Sequence, residues 1–309
     1  MRVAVTGAFG FSGRYIARRL LTLRHEVITL TDSPNRSNPF GGSIKAFPYN
    51  FSELHELSKS LLGIDVLVNT YWVRFDNPPH VTFAQAIANS KVLFDAAKSA
   101  GVRRVVHISI TNPDPHSPLP YFRGKAEIED YLKKTGISYA ILRPAVLFGM
   151  EDILINNIAW ALRRLPVFGI YGAGRYRLQP IYVDDLAVAV IDRITGGTDE
   201  TIDAIGPETY FYREMVEMIA REIGSRALIL PVPPMLAYQA VRLLGWTVGD
   251  VINTRDEVRG LMQEKLYVQS PPLGTTKISD WVRASRESIG HRYASELQRR
   301  LDRTSAYCY

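Results

Sequence analysis

The chain places a tyrosine and a lysine four residues apart, in Tyr121-Phe-Arg-Gly-Lys125, with two hydroxyls, Ser109 and Thr111, shortly before them. Four residues apart on a helix, two side chains share one face. An ammonium close to a phenol favours the phenolate and lowers the tyrosine pKa, and a phenol tuned in this way serves as general acid or base near neutral pH. Such a pair recurs by chance, so its weight comes from its place in the chain. The plain alternative is a helix-face pair without chemistry. His107 reads as a strand residue rather than a catalyst.

A second set of residues points to phosphate. Gly7-Ala8-Phe9-Gly10-Phe11-Ser12-Gly13 follows a short apolar run and opens a stretch with helical spacing. Glycines there permit a tight turn and close backbone approach, while a helix N-terminus offers unpaired N–H groups to a diphosphate. Spaced glycines alone are weak, but between a strand and a helix they are much stronger. The competing reading is a glycine turn kept only for helix–sheet packing.

Both sets need a frame to hold them. Apolar runs at residues 2–6, 27–30, 44–47, 65–69, 104–108 and 139–142 read as strands, and residues 11–23, 52–62, 84–100 and 124–134 as helices. Alternation of this kind predicts right-handed crossovers and an α/β fold with a doubly wound parallel sheet. Tyr121 and Lys125 then fall between the fifth and sixth strands. Further on, residues 153–164 read as a helix and 179–183 as a strand, with Asp184 and Asp185 as N-cap candidates for the next helix. We expect a dinucleotide-binding domain over residues 1–150, to which 176–204 return, and a smaller, mainly helical cap domain from 151–175 and 205–309. The apolar stretch 235–246 reads as core packing, with membrane-surface contact as the alternative.

Composition narrows the function classes. A hydrophobic fraction of 46% with 22% charged residues suits a globular chain with a real core. The net charge of +6 is scattered rather than clustered, which argues against nucleic-acid binding. Cys308 is the single cysteine, so neither an internal disulfide nor a CxxC metal site is expected. The sequence runs from Met1-Arg2 straight into a strand, no stretch approaches the ~20 apolar residues of a membrane span, and a cytoplasmic location is expected.

The spacing Thr6-Gly7-x-x-Gly10-x-x-Gly13, the Tyr121/Lys125 pair and the stretch KAEIEDYLKKTGISYAILRPAVLFG together resemble the short-chain dehydrogenase/reductase superfamily, in its extended and atypical epimerase/dehydratase branch. The resemblance covers most of the chain and is strongest through residue 190. It implies a Rossmann-type fold and NADP or NAD as cofactor. It also implies Tyr121 as proton carrier, Lys125 as its tuner and ribose ligand, and Thr111, with Ser109 second, as the hydroxyl that orients the substrate oxygen. Cofactor contacts are implied at Gly7, Phe9, Gly10, Phe11 and Gly13, at Asn50 and Phe51, at Thr70, Tyr71 and Trp72, and at Pro144 and Val146. Simple packing under the loops is the other reading of the aromatics among them. The acidic position that selects NAD falls on Thr31, with Asp32 next to it. Ser33 and Arg36, with Arg14, could hold a 2′-phosphate, which puts NADP ahead; a solvated loop charge is the other reading of Arg36. Arg143 is either a residue of the nicotinamide segment or a structural ion-pair partner. Arg175 and Arg177 match the cations that face sugar-nucleotide phosphates.

Two departures bear on function. Only a short Pro-rich segment separates Thr111 from Tyr121, and Gln179-Pro180-Ile181-Tyr182 is similar to the variant in the branch containing NADPH-binding accessory subunits of respiratory complex I. Two classes stay open: an oxidoreductase, epimerase or dehydratase acting on an alcohol or ketone, a nucleotide-sugar among the candidates, or a non-catalytic or redox-sensing NADPH-binding accessory or assembly protein. A homodimer is compatible with either.

Overall fold

The computed structural model describes every residue except 78–80, 303 and 305–309, so Cys308 lies outside the described residues. β1 (Arg2–Thr6) is buried from its second residue onward, as befits an apolar run at the centre of a sheet covered on both faces. A glycine turn leads into α1 (Phe11–Thr22), which buries Ile16, Ala17 and Leu20. The alternation continues through β2 (Glu26–Thr31), β3 (Lys45–Pro48), α2 (Leu54–Ser60), β4 (Val66–Asn69), α3 (Phe83–Ser99), β5 (Arg104–Ile108), α4 (Pro120–Thr135) and β6 (Ser138–Pro144). Next come β7 (Leu147–Phe148), α5 (Leu154–Arg164), β8 (Val167–Tyr171), β9 (Arg177–Leu178), β10 (Ile181–Tyr182), α6 (Val183–Ile194) and β11 (Glu200–Ala204). The remainder holds β12 (Tyr210–Phe211), α7 (Tyr212–Glu222), β13 (Leu228–Val232), α8 (Pro234–Val248), α9 (Arg255–Met262), α10 (Ile278–Ser285) and α11 (Glu296–Leu301).

The main sheet has the order β11-β6-β5-β4-β1-β2-β3. From β6 to β3 every neighbouring pair is parallel. The chain leaves β1 toward β2 and β3, then returns to place β4 on the other side of β1. That reversal makes the C-terminal ends of β1 and β4 a topological switch point, where open α/β sheets bind their ligands. This is the doubly wound parallel sheet that the alternating pattern predicts, and the Rossmann-type architecture that the resemblance implies.

The chain divides into two compact units. One holds Met1–Pro144 and Leu186–Asp203, and the other holds Ala145–Asp185 and Ala204–Asp302. The first is built on Leu57, Leu67, Leu93, Phe94, Ile128 and Ile141. The second packs α5, α7 and α10 through Ile155, Ile158, Met215, Ile219, Ile278 and Val282. It also carries three two-stranded ladders, β10–β7, β12–β9 and β13–β8, most of them too short to show a strand period in the sequence.

Three local expectations are corrected. The helix expected from residue 124 begins at Pro120, whose missing N–H costs nothing in a first turn, so Tyr121 is itself helical. Asp184 and Asp185 lie inside the first turn of α6 rather than capping it. Asp185 instead accepts from the backbone N–H of Thr275 and Thr276 at 2.7 Å each, tying down a loop. Finally, α8 is not core along its outer face: Met235, Leu236, Leu243 and Trp246 are all exposed. The stretch has two apolar faces, and only one of them packs.

Candidate functional site: the switch point of the parallel sheet

Gly7 leaves β1 with φ +66°, a conformation that side chains rarely adopt, and its N–H donates to the Leu30 carbonyl at 2.8 Å. Gly10 N–H closes the turn on the Gly7 carbonyl at 2.8 Å. At Gly13 a Cβ would stand 2.2 Å from that same carbonyl, so α1 can approach the turn only with glycine there. α1 is capped by Gly10, which has no side chain to satisfy its N–H groups, and its first turn has no acid. The arrangement presents unpaired N–H groups and the positive end of the helix dipole, and it fits a diphosphate. Phe9 is buried beside Phe40, and Phe11 packs edge-on against Tyr15.

At the end of β2, Thr31 is buried and its hydroxyl accepts from Ser33 N–H at 3.1 Å. Asp32 points outward, while Ser33 and Arg36 are buried, so Arg36 is not a solvated loop charge. Tyr49, Phe51 and Tyr71 pack together with ring centroids 4.7–5.1 Å apart. Burial pushes the Tyr71 phenol up to about 12, although Asn89 donates a hydrogen bond to it at 2.8 Å. These rings form one packed cluster beside the end of β4. Asn50 takes φ +45°, which asparagine tolerates better than most residues.

β4 and β5 contribute a polar network that sequence reasoning missed. Asn69 and His107 are register partners on adjacent strands. Asn69 Oδ1 accepts from Thr6 Oγ1 at 3.1 Å and from Tyr71 N–H at 3.0 Å, which leaves Nδ2 to donate to His107 Nδ1 at 3.1 Å. Thr70 N–H donates to Thr6 Oγ1 at 2.6 Å. His107 is thereby a neutral ring protonated at Nε2. Desolvation, and then the nearby Lys125 charge, hold its pKa well below the usual 6.5. The sequence shows only a polar residue within each of two apolar runs; that the two meet follows from the strand register. The network fixes the turn of Thr70, Tyr71 and Trp72, where the resemblance puts the cofactor.

On α4, Tyr121 is half-buried against Trp72, Phe83 and Phe122, with centroids 5.6–5.9 Å away. Lys125 is 2% exposed, donates to the Ile108 carbonyl at 2.9 Å and stands 4.7 Å above the Trp72 ring. Burial drives its ammonium down to about 7, against the opposing pull of Glu129. Among the described residues, Trp72 Nε1 and Ser109 Oγ are buried with no hydrogen-bond partner. Buried polar atoms of this kind carry a cost unless a ligand completes them. Thr111 is fully buried, and its N–H donates to the Pro144 carbonyl at 3.0 Å. Arg143 makes a two-pronged contact with the buried Glu129, at 3.0 and 2.5 Å, and so serves as an ion-pair partner.

Val146, Arg175 and Arg177 belong to the second unit. Val146 accepts from Ile181 N–H at 2.8 Å, and Arg175 is exposed. Arg177 is held by Glu264 at 2.8 and 2.5 Å and lies 3.8 Å over the Tyr267 ring. Its fork already engages a carboxylate. Glu264 reaches it from a left-handed backbone, φ +54°, which no sequence signal disclosed.

A glycine-lined switch point followed by a Tyr/Lys helix defines a class of dinucleotide-dependent proteins. A profile of the NAD dependent epimerase/dehydratase family matches residues 3–199, and the chain belongs to that family. The family is NAD(P)-dependent, in keeping with the cradle. The chain is similar to the 40 kDa subunit of mitochondrial NADH-ubiquinone oxidoreductase from Neurospora crassa: 28% identity over 269 residues, covering 82% of this chain and 68% of that one. It is 26% identical over 256 residues to mitochondrial NADH dehydrogenase (ubiquinone) 1 alpha subcomplex subunit 9 of Arabidopsis thaliana, covering 77% of this chain and 62% of that one. It thus spans only part of these relatives. Among solved structures, Citrobacter sp. triphenylmethane reductase complexed with NADP(H) shares the fold, with a TM-score of 0.74 at 17% identity over 92% of this chain and 99% of that one.

Proposed function

We propose that the chain binds NADP(H) across the switch point and acts as an oxidoreductase on an alcohol or ketone, with Tyr121 passing the proton. The observation that carries this reading is the β1–α1 turn, where Gly7 takes a positive φ, a Cβ at Gly13 would strike the Gly7 carbonyl, and no side chain caps the helix at Gly10. Gly7, Gly10, Phe11 and Gly13 would hold the diphosphate. Ser33 and Arg36 would take the 2′-phosphate, since Thr31 supplies no carboxylate for a free ribose. Asn50 and Phe51 would border adenine, and Thr70, Tyr71, Trp72 and Pro144 would line the nicotinamide half. When bound, the nicotinamide supplies or accepts hydride at its C4. The chain's own part is to position the substrate oxygen through Thr111 or Ser109, to deliver or remove its proton at the Tyr121 phenol, and to keep Lys125 charged enough to favour the phenolate.

A second reading is supported by particular contacts: an accessory subunit in which bound NADPH stabilises the chain or an assembly. Lys125 is spent on Ile108, Arg177 is spent on Glu264, and the relatives named above are respiratory-complex subunits. One experiment separates the two. The dinucleotide that co-purifies is identified, and turnover of NADPH with a ketone and quinone panel is compared in the native protein and Tyr121→Phe. The oxidoreductase reading expects turnover that falls by about 10²–10⁴-fold in the variant, the usual contribution of a positioned acid–base group. Tight NADPH with no turnover in either protein favours the accessory reading.

A further inference from the structure

α8 carries apolar side chains around its whole circumference. At about 100° per residue, Met235, Leu236, Gln239, Arg242, Leu243 and Trp246 share one arc, and Ala237, Tyr238, Val241 and Gly245 share the opposite one. The inner arc is packed. Ala237 joins Tyr171 and Val258 in a small core with Val232, Tyr238 and Val241, and Gly245 meets the Asp250 carbonyl so closely that a Cβ would stand 2.6 Å from it. The outer arc is bare: Trp246 is 80% exposed, Leu243 63%, Leu236 62% and Met235 61%. A patch of this kind on an otherwise ordinary surface marks a contact surface.

Charge decides what covers it. The one charged side chain of α8 is Arg242, exposed on this outer arc, and the helix contains no acid. Asp250, just beyond the helix, is buried and accepts hydrogen bonds from Tyr293 Oη and from the N–H groups of Glu296 and Leu297. A second copy meeting this face about a two-fold axis would bring Arg242 toward Arg242 with no acid of the helix between them. A sheet of anionic headgroups over hydrocarbon matches both features: Trp246 and the leucines enter the interface, and Arg242 meets phosphate.

We propose that the outer face of α8 docks in the plane of an anionic lipid surface, without crossing it. The test is flotation of the full chain with vesicles of phosphatidylcholine plus phosphatidylglycerol, against phosphatidylcholine alone. Anionic vesicles should carry the protein at low salt and release it as salt rises. Leu243→Glu and Arg242→Glu should each weaken binding by about tenfold or more, with circular dichroism and unfolding midpoint unchanged because both side chains are exposed. Quenching of tryptophan by brominated lipid should be largely lost in Trp246→Phe. No flotation at low salt would overturn the proposal, as would undiminished binding of Leu243→Glu. A dimer in solution that Leu243→Glu dissolves would also overturn it, assigning the face to a second copy.

Discussion

Lys125 is the residue on which the proposed chemistry turns, because its environment pulls in two directions. Burial lowers its ammonium to about 7, and Glu129 pulls the other way. Between that value and the usual 10.5 the unfolded chain binds a proton that the folded chain has released, so folding stability should rise with pH across this window. Urea unfolding from pH 7 to pH 10 should show that rise in the native protein and a flatter profile in Lys125→Met. If the two profiles run parallel, the lysine is not desolvated as described. The same protonation bears on the proposed proton transfer: above about 7 the charge that would favour the Tyr121 phenolate fades.

At the scale of elements, the Glu129–Arg143 pair ties α4 to β6. Glu129 is 1% exposed at its side chain and Arg143 27%, so removing one partner strands a buried charge on the other. Glu129→Gln keeps the shape and should cost about 2 kcal/mol, less than a fully dry pair because Arg143 still reaches water. Chemical denaturation of Glu129→Gln, Arg143→Met and the double variant should show that the two losses do not add. A sum equal to the two single costs would deny the pair its coupling. This pair also shows how far the sequence carries. The strands and the glycine turn were readable because apolar runs and spaced glycines are local signals. The four-residue step from Lys125 to Glu129 was local too and was passed over. By contrast, Asn69 with His107, and Arg177 with Glu264, meet only through strand register or a long return of the chain, which spacing does not encode. α8 was misread for another reason: hydropathy reports that a segment is apolar, not which of its faces finds a partner.

Across the whole molecule, NADP(H) binding as proposed requires that the glycine turn, the neutral His107 network and the buried Arg36 form one dinucleotide site in the first unit. A ligand that binds only the folded chain stabilises it by RT ln(1 + [L]/Kd), about 2.7 kcal/mol at a hundredfold excess over Kd. The direct measurement is thermal unfolding of the full chain against rising NADPH, NADH and pyrophosphate, with Gly13→Ala as the comparison. On this reading NADPH gives a concentration-dependent rise in Tm, NADH a smaller one, and Gly13→Ala none at any dinucleotide concentration. An unchanged Tm with both dinucleotides, confirmed by calorimetric titration without heat, would contradict it.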